Sequence, residues 1–113
     1  MSAEAQPGFS YEGPEELREP VRKALRRVVD PEVAMNIVDV GLVYGVSVAS
    51  QQVRVVMTMT SPACPVTDVI MDDVDSELDA VLPDGISLDI DLVWEPPWTP
   101  DRMSARAKAF MGW

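Results

Sequence analysis

The chain has no histidine and a single cysteine among its 113 residues. Without histidine it lacks the side chain that most often acts as a general base near neutral pH. A cysteine nucleophile therefore has no imidazole to activate it. Zinc sites built from Cys and His pairs at ligand spacing have nothing to build on. One cysteine cannot close an internal disulfide, so the thiol gives no argument for secretion. Cations are also scarce: 9 Lys and Arg stand against 19 Asp and Glu, for a net charge of −10. Such a surface repels nucleic acid and anionic membranes and favours basic partners. No apolar run reaches membrane-spanning length, and the first residues lack a signal-peptide core. A cytoplasmic protein is expected. There is no glycine-rich phosphate loop; Gly41 and Gly45 are spaced to punctuate a strand. Apolar residues nevertheless make up 47% of the chain, which predicts a packed interior. The length suits one domain, placed at 14–113 behind a mobile tail at 1–13.

Periodicity predicts the elements. Leu17, Val21, Ala24, Leu25 and Val28 fall at helical spacing, with a basic face of Arg22, Lys23, Arg26 and Arg27. Pro20 conflicts with an unbroken helix, so the expected helix covers 20–28 and residues 14–19 form a separate turn. Asp30-Pro31-Glu32 ends it. Strands are expected at 43–49 and 53–60, joined by a turn at Ser50-Gln51-Gln52. Val53, Val55, Met57 and Met59 face one way in the second strand. Val66, Ile70, Val74, Leu78 and Val81 then form a helical stripe opposite Asp68, Asp72, Asp75 and Asp79. Pro83-Asp84-Gly85 closes it. Ile86, Leu88, Ile90, Leu92 and Trp94 alternate with mostly polar residues as a third strand. Thr99 is expected to cap a last helix from Pro100, with Met103, Ala107 and Phe110 facing inward. The order predicts a two-layer αββαβ(α) sandwich, a small mixed sheet with helices on one face. If the second and third strands are parallel neighbours, the helix between them is a crossover.

The lone cysteine lies in "TSPACP", residues 60–65. If the helix begins at Pro65, where a missing N–H costs nothing, Cys64 is its N-cap. Free backbone N–H groups and the positive end of the helix dipole would then favour the thiolate, the form that attacks or binds metal. The alternative is an inert core cysteine. Asp30 and Glu32 are general acid or base candidates, though turns use such residues routinely. The acidic stretch from Asp68 to Asp79 is ordinarily a solvated helix face. Trp94 is expected in the core. Trp98, Arg102 and Met103 are candidates for a partner surface, unless the C-terminal helix folds back and buries them.

Three stretches, "DPEVAMNIVDVGLVYGV", "MTMTSPACP" and "DLVWEPPWTPDRMSARAKAFMGW", resemble the SufT/PaaD-like family of iron–sulfur assembly proteins. The resemblance spans roughly residues 17–113. It implies the αββαβ fold shared with the NifU C-terminal module. It carries the family motif onto Asp30, Pro31 and Glu32, onto Asp39, Gly41, Leu42 and Val43, and onto Thr60, Cys64 and Pro65. Cys64 becomes the family's reactive cysteine. The PaaD branch, linked to oxygenation of an aromatic CoA thioester, typically adds a cysteine-bearing C-terminal region. With no second cysteine, this chain is closer to the SufT-like branch. The implied role is an accessory, non-enzymatic factor in iron–sulfur protein maturation. Its partners would be the assembly machinery and client apoproteins. A cluster takes about four thiolates, so one cysteine implies a labile cluster or iron shared across a homodimer, with a small thiol or with a client. No tightly bound cofactor is expected. Two other readings stand beside this one: an interaction adaptor in which Cys64 is structural, and an accessory subunit of an aromatic-CoA oxygenase system.

Overall fold

Strict alternation sets the central strands. In β5 (Gln52–Met57) the side chains of Val53, Val55 and Met57 are wholly buried, while Gln52 and Arg54 face water. Its antiparallel neighbour β4 (Val43–Val48) buries Val43, Val46 and Val48, whose spacing breaks the period of two. A register shift between Val43 and Gly45 absorbs the odd residue; a bulge of this kind returns later side chains to the core face. The hairpin closes with the Ala49 amide donating to the Gln52 carbonyl at 2.8 Å.

The computed structural model describes residues 9–60 and 65–112. The remaining elements are β1 (Ser10–Glu12), α1 (Glu15–Leu25), β2 (Val29–Asp30), β3 (Met35–Asn36), α2 (Ile37–Val40), α3 (Thr67–Val81), β6 (Ser87–Leu92), a 3-10 turn at Pro100–Arg102 and α4 (Ala105–Met111). The main sheet runs β1-β4-β5-β6, and β2 and β3 form a separate small ladder. β5 and β6 are parallel neighbours joined by α3, the expected crossover. The predicted mixed α/β fold is thus the one observed.

α3 buries Ile70, Val74 and Leu78 completely and packs against α1, which buries Val21, Ala24 and Leu25. Each of the Val, Leu and Ile side chains contributes roughly 1.5–3 kcal/mol over its exposed state, and Ala24 less. The opposite face of the sheet is polar, with Arg54 within 3.6 Å of Asp89 and 3.9 Å of Asp91. No helix among the described residues is long and apolar enough to cross a membrane.

Four local expectations change. Residues 1–8 of the expected tail lie outside the described residues, but Ser10–Glu12 form an edge strand parallel to β4. Edge pairing uses backbone groups and requires no apolar pattern, so composition does not reveal it. The first helix is continuous from Glu15 and carries Pro20 inside it. The carbonyl that loses its donor belongs to Glu16, an exposed residue that water can serve. α3 begins at Thr67, with Val66 as its uncapped N-cap. Apolar spacing records burial, and Val66 is half-buried without helical backbone. The last helix starts after Ser104, which caps it by accepting from the Ala107 amide at 3.0 Å, rather than after Thr99. Its inner residue is Ala107; Phe110 is 66% exposed.

Candidate functional site

A single helical turn organises one end of the molecule. Asn36 caps α2 by accepting from the Asp39 amide at 2.9 Å. Its side-chain amide donates back to the Asp39 carboxylate at 2.8 Å. Asp39 is buried, and the Arg26 guanidinium stands 3.6 Å from the same carboxylate oxygen. The buried acid thus has both a hydrogen bond and an opposite charge, the two conditions that make burying a carboxylate tolerable. Gly41 ends the turn in the left-handed region at φ +89°, a conformation glycine adopts without penalty.

The C-terminal segment closes over this turn. The Ser104 amide donates to the Asp39 carbonyl at 2.8 Å. The Trp98 indole donates to the Val40 carbonyl at 2.8 Å. Tyr44 donates its hydroxyl proton to the Pro96 carbonyl at 2.7 Å, and the Arg102 guanidinium lies 4.2 Å from the centre of the Tyr44 ring. A Cβ at Gly41 would stand 2.7 Å from the Arg102 carbonyl carbon. Gly41 is therefore required twice, for its dihedral and for the approach of the 102 backbone.

These contacts bear on how exposed the candidate partner residues are. Met103 is 4% exposed, and Trp98 and Arg102 are half-buried with their partners inside the chain. The 96–104 segment folds back over the α2 turn and buries Met103, while Trp98 and Arg102 keep part of their surface in solvent. Trp94, expected in the core, is instead exposed. It lies two residues past the end of β6, where the alternation that predicted it no longer applies.

The Asp30-Pro31-Glu32 motif forms the turn between β2 and β3. Asp30 is 1% exposed, and its Oδ1 accepts from the Glu32 amide at 2.8 Å. The Asp30 carbonyl accepts from the amides of Val33 and Ala34. Among the described residues Asp30 Oδ2 has no partner. Ala34 takes φ +60° to close the turn. Pro31 and Glu32 face solvent. β3 runs directly into Asn36, so this turn and the Asp39 turn are held in one unit.

The Thr60–Pro65 motif springs from the same end of the sheet. The Thr58 amide donates to the Leu42 carbonyl at 2.8 Å, and the Val93 amide to the Met57 carbonyl at 2.8 Å. Leu42 directly follows Gly41, so the exit of β5 is tied to the α2 turn. Thr60 and Pro65, the described flanks, are both exposed. Cys64 itself lies outside the described residues. With α3 starting at Thr67, the cysteine stands two residues before the N-cap. The dipole's influence falls off within a turn, so the electrostatic case for a thiolate is weaker than a helix beginning at Pro65 would make it. Among the described residues, no three of His, Cys, Asp and Glu group to hold a metal ion.

The sequence reading did not single out Asn36, Tyr44 or Ser104. A signal for the first was present: Asn36-x-x-Asp39 followed by Gly41 is a cap, an acidic third position and a terminator. Tyr44 and the Arg26–Asp39 pair depend on tertiary approach and leave no such mark.

Comparison with known proteins gives a consistent picture. The model of a family described as iron–sulfur cluster assembly protein matches residues 18–88. The Fe-S protein maturation auxiliary factor YitW of Bacillus subtilis is 42% identical over 99 residues, covering 87% of this chain and 96% of its own. The Fe-S protein maturation auxiliary factor SufT of Staphylococcus aureus is 44% identical over 86 residues, covering 75% and 97%. The crystal structure of a domain of unknown function, DUF59, from Bacillus anthracis superposes with a TM-score of 0.80 at 34% identity and covers 98% of both chains.

Proposed function

The chain belongs to the iron–sulfur cluster assembly protein family, and on that premise we propose that it is an accessory factor in iron–sulfur protein maturation that uses Cys64 as a labile ligand or thiol contact. One observation carries the reading. The segment holding the only thiol leaves the sheet at the end where the Asp39–Gly41 turn, the Asp30 turn and the exit of β5 are joined. That frame fixes the flanks of the segment, Thr60 and Pro65, and both flanks are exposed. One thiolate is a quarter of what a cluster takes, so the cluster or iron is cargo, completed by a second Cys64 in a homodimer, by a small thiol or by the client. Handing on cargo requires only binding and release, and the role is non-catalytic. The setting is cytoplasmic, and the partners are the assembly machinery and client apoproteins.

The test is anaerobic addition of iron and sulfide to the protein and to Cys64→Ser. Visible absorption and mass in solution are followed, and each protein is then mixed with an apoprotein client. A chromophore and client activation that both require Cys64, from variants with identical folds, support the role. Client activation that survives Cys64→Ser sinks it and leaves an adaptor with a structural cysteine.

A further inference from the structure

Between the end of α1, the β2–β3 turn and α4 lies an open groove of about 590 Å³. Its walls include Val29, Met35, Ala109 and Phe110, and two arginines, Arg26 and Arg106, border it. Large apolar side chains are exposed at four places among the described residues, Val29, Val69, Trp94 and Phe110, and two of them meet here. Phe110 is 66% exposed and Val29 47%. Convergent exposed apolar side chains in a concavity mark a binding surface more often than scattered ones do.

The charge of the groove runs against that of the molecule. The chain carries −10 overall, yet the groove holds two guanidinium groups and one carboxylate, Asp39. Asp39 is already occupied by Asn36 and Arg26. Arg106 makes no hydrogen bond or ion pair among the described residues, and its side chain is exposed. A guanidinium presents a planar fork that fits a carboxylate with two hydrogen bonds. We propose that this groove docks a short segment of a partner protein in which a bulky apolar side chain stands beside a carboxylate. The apolar side chain fills the space between Val29, Met35 and Phe110, and the carboxylate pairs with Arg106. Long-range repulsion by the acidic surface keeps generally acidic chains away, so the groove selects a carboxylate only when an apolar side chain accompanies it.

The inference is independent of Cys64. The probe is an amidated, acetylated hexapeptide of sequence Gly-Ser-Phe-Glu-Ser-Gly, titrated into nitrogen-15-labelled full-length protein. Matched peptides replace Phe by Ala or Glu by Gln. Saturable amide shifts confined to the groove, at Val29, Met35, Arg106 and Phe110, are expected, with binding at least tenfold weaker for either control peptide. Arg106→Glu is expected to weaken the Phe-Glu peptide at least tenfold while amides distant from the groove keep their positions. Equal binding of the Glu and Gln peptides overturns the proposal, as does saturation elsewhere or no saturation. Concentration-dependent shifts of the same residues without peptide would also overturn it, since the occupant would then be a second copy of this chain. A groove that binds while Cys64→Ser still activates clients would retire the role proposed for Cys64 and leave this one standing.

Discussion

Gly41→Ala separates two costs that the structure predicts for one methyl group. The first is conformational: alanine at φ +89° pays about 1–2 kcal/mol for entering the left-handed region. The second is contact. The new Cβ would meet the Arg102 carbonyl carbon at 2.7 Å and the Arg102 Cβ at 2.8 Å. Backbone cannot rotate away as a side-chain tip can, so the segment must lift. Lifting it breaks the Ser104–Asp39 and Trp98–Val40 hydrogen bonds, each with a net value of about 1 kcal/mol. The combined loss is roughly 3–4 kcal/mol, a large part of the ~5–15 kcal/mol that holds a domain of this size. Gly85→Ala is the internal control, because Gly85 has φ +88° and a Cβ there meets nothing within 4 Å. It should pay only the conformational cost, about 1–2 kcal/mol. Urea unfolding followed by tryptophan fluorescence measures both. The two variants should differ by about 2 kcal/mol, the value of the two hydrogen bonds. Equal losses would refute the close approach of the 102 backbone to the α2 turn.

Trp98→Phe removes the donor to the Val40 carbonyl and also part of the packed indole, so it should cost at least about 1 kcal/mol in urea unfolding. Ala34→Gly should stabilise by a few tenths to about 1 kcal/mol in the same assay, since it relieves φ +60° and gives back part of the gain as chain entropy. The exposed Glu15 carboxylate, hydrogen-bonded by Arg18 at 2.6 Å, is held below the usual carboxylate range. Carbon-13 titration should show that depression, and Arg18→Ala should abolish it. Because the folded-state value is lowered, the pair's small contribution is present above the unfolded pKa of Glu15 and fades as pH falls through the folded one. Arg27, in the turn after α1, pairs with Glu77 of α3 at 2.7 Å on the exposed side; Arg27→Ala should cost under about 1 kcal/mol, and less at high salt, by the same unfolding measurement.

The framework is legible in local residue patterns. Burial against one neighbouring layer imposes a period of two on β5 and of three to four on α3, and Val53, Val55, Met57, Ile70, Val74 and Leu78 satisfy both. The sequence also limited the chemistry, because one thiol and no imidazole can be counted without a fold. The rest depends on contacts between residues far apart in the chain. Whether Trp98 and Met103 face solvent depends on where the 94–104 segment lies, and that depends on an Asp39 carbonyl 65 residues earlier accepting from Ser104. Pairing of Ser10–Glu12 with β4 uses only backbone groups, which every residue but proline supplies. The groove at Phe110 and Arg106 exists because the fold sets α4 beside Val29 and Met35, residues about 70 to 80 positions earlier in the chain. Local patterns record which face of an element is buried; they do not record which distant backbone that face will meet.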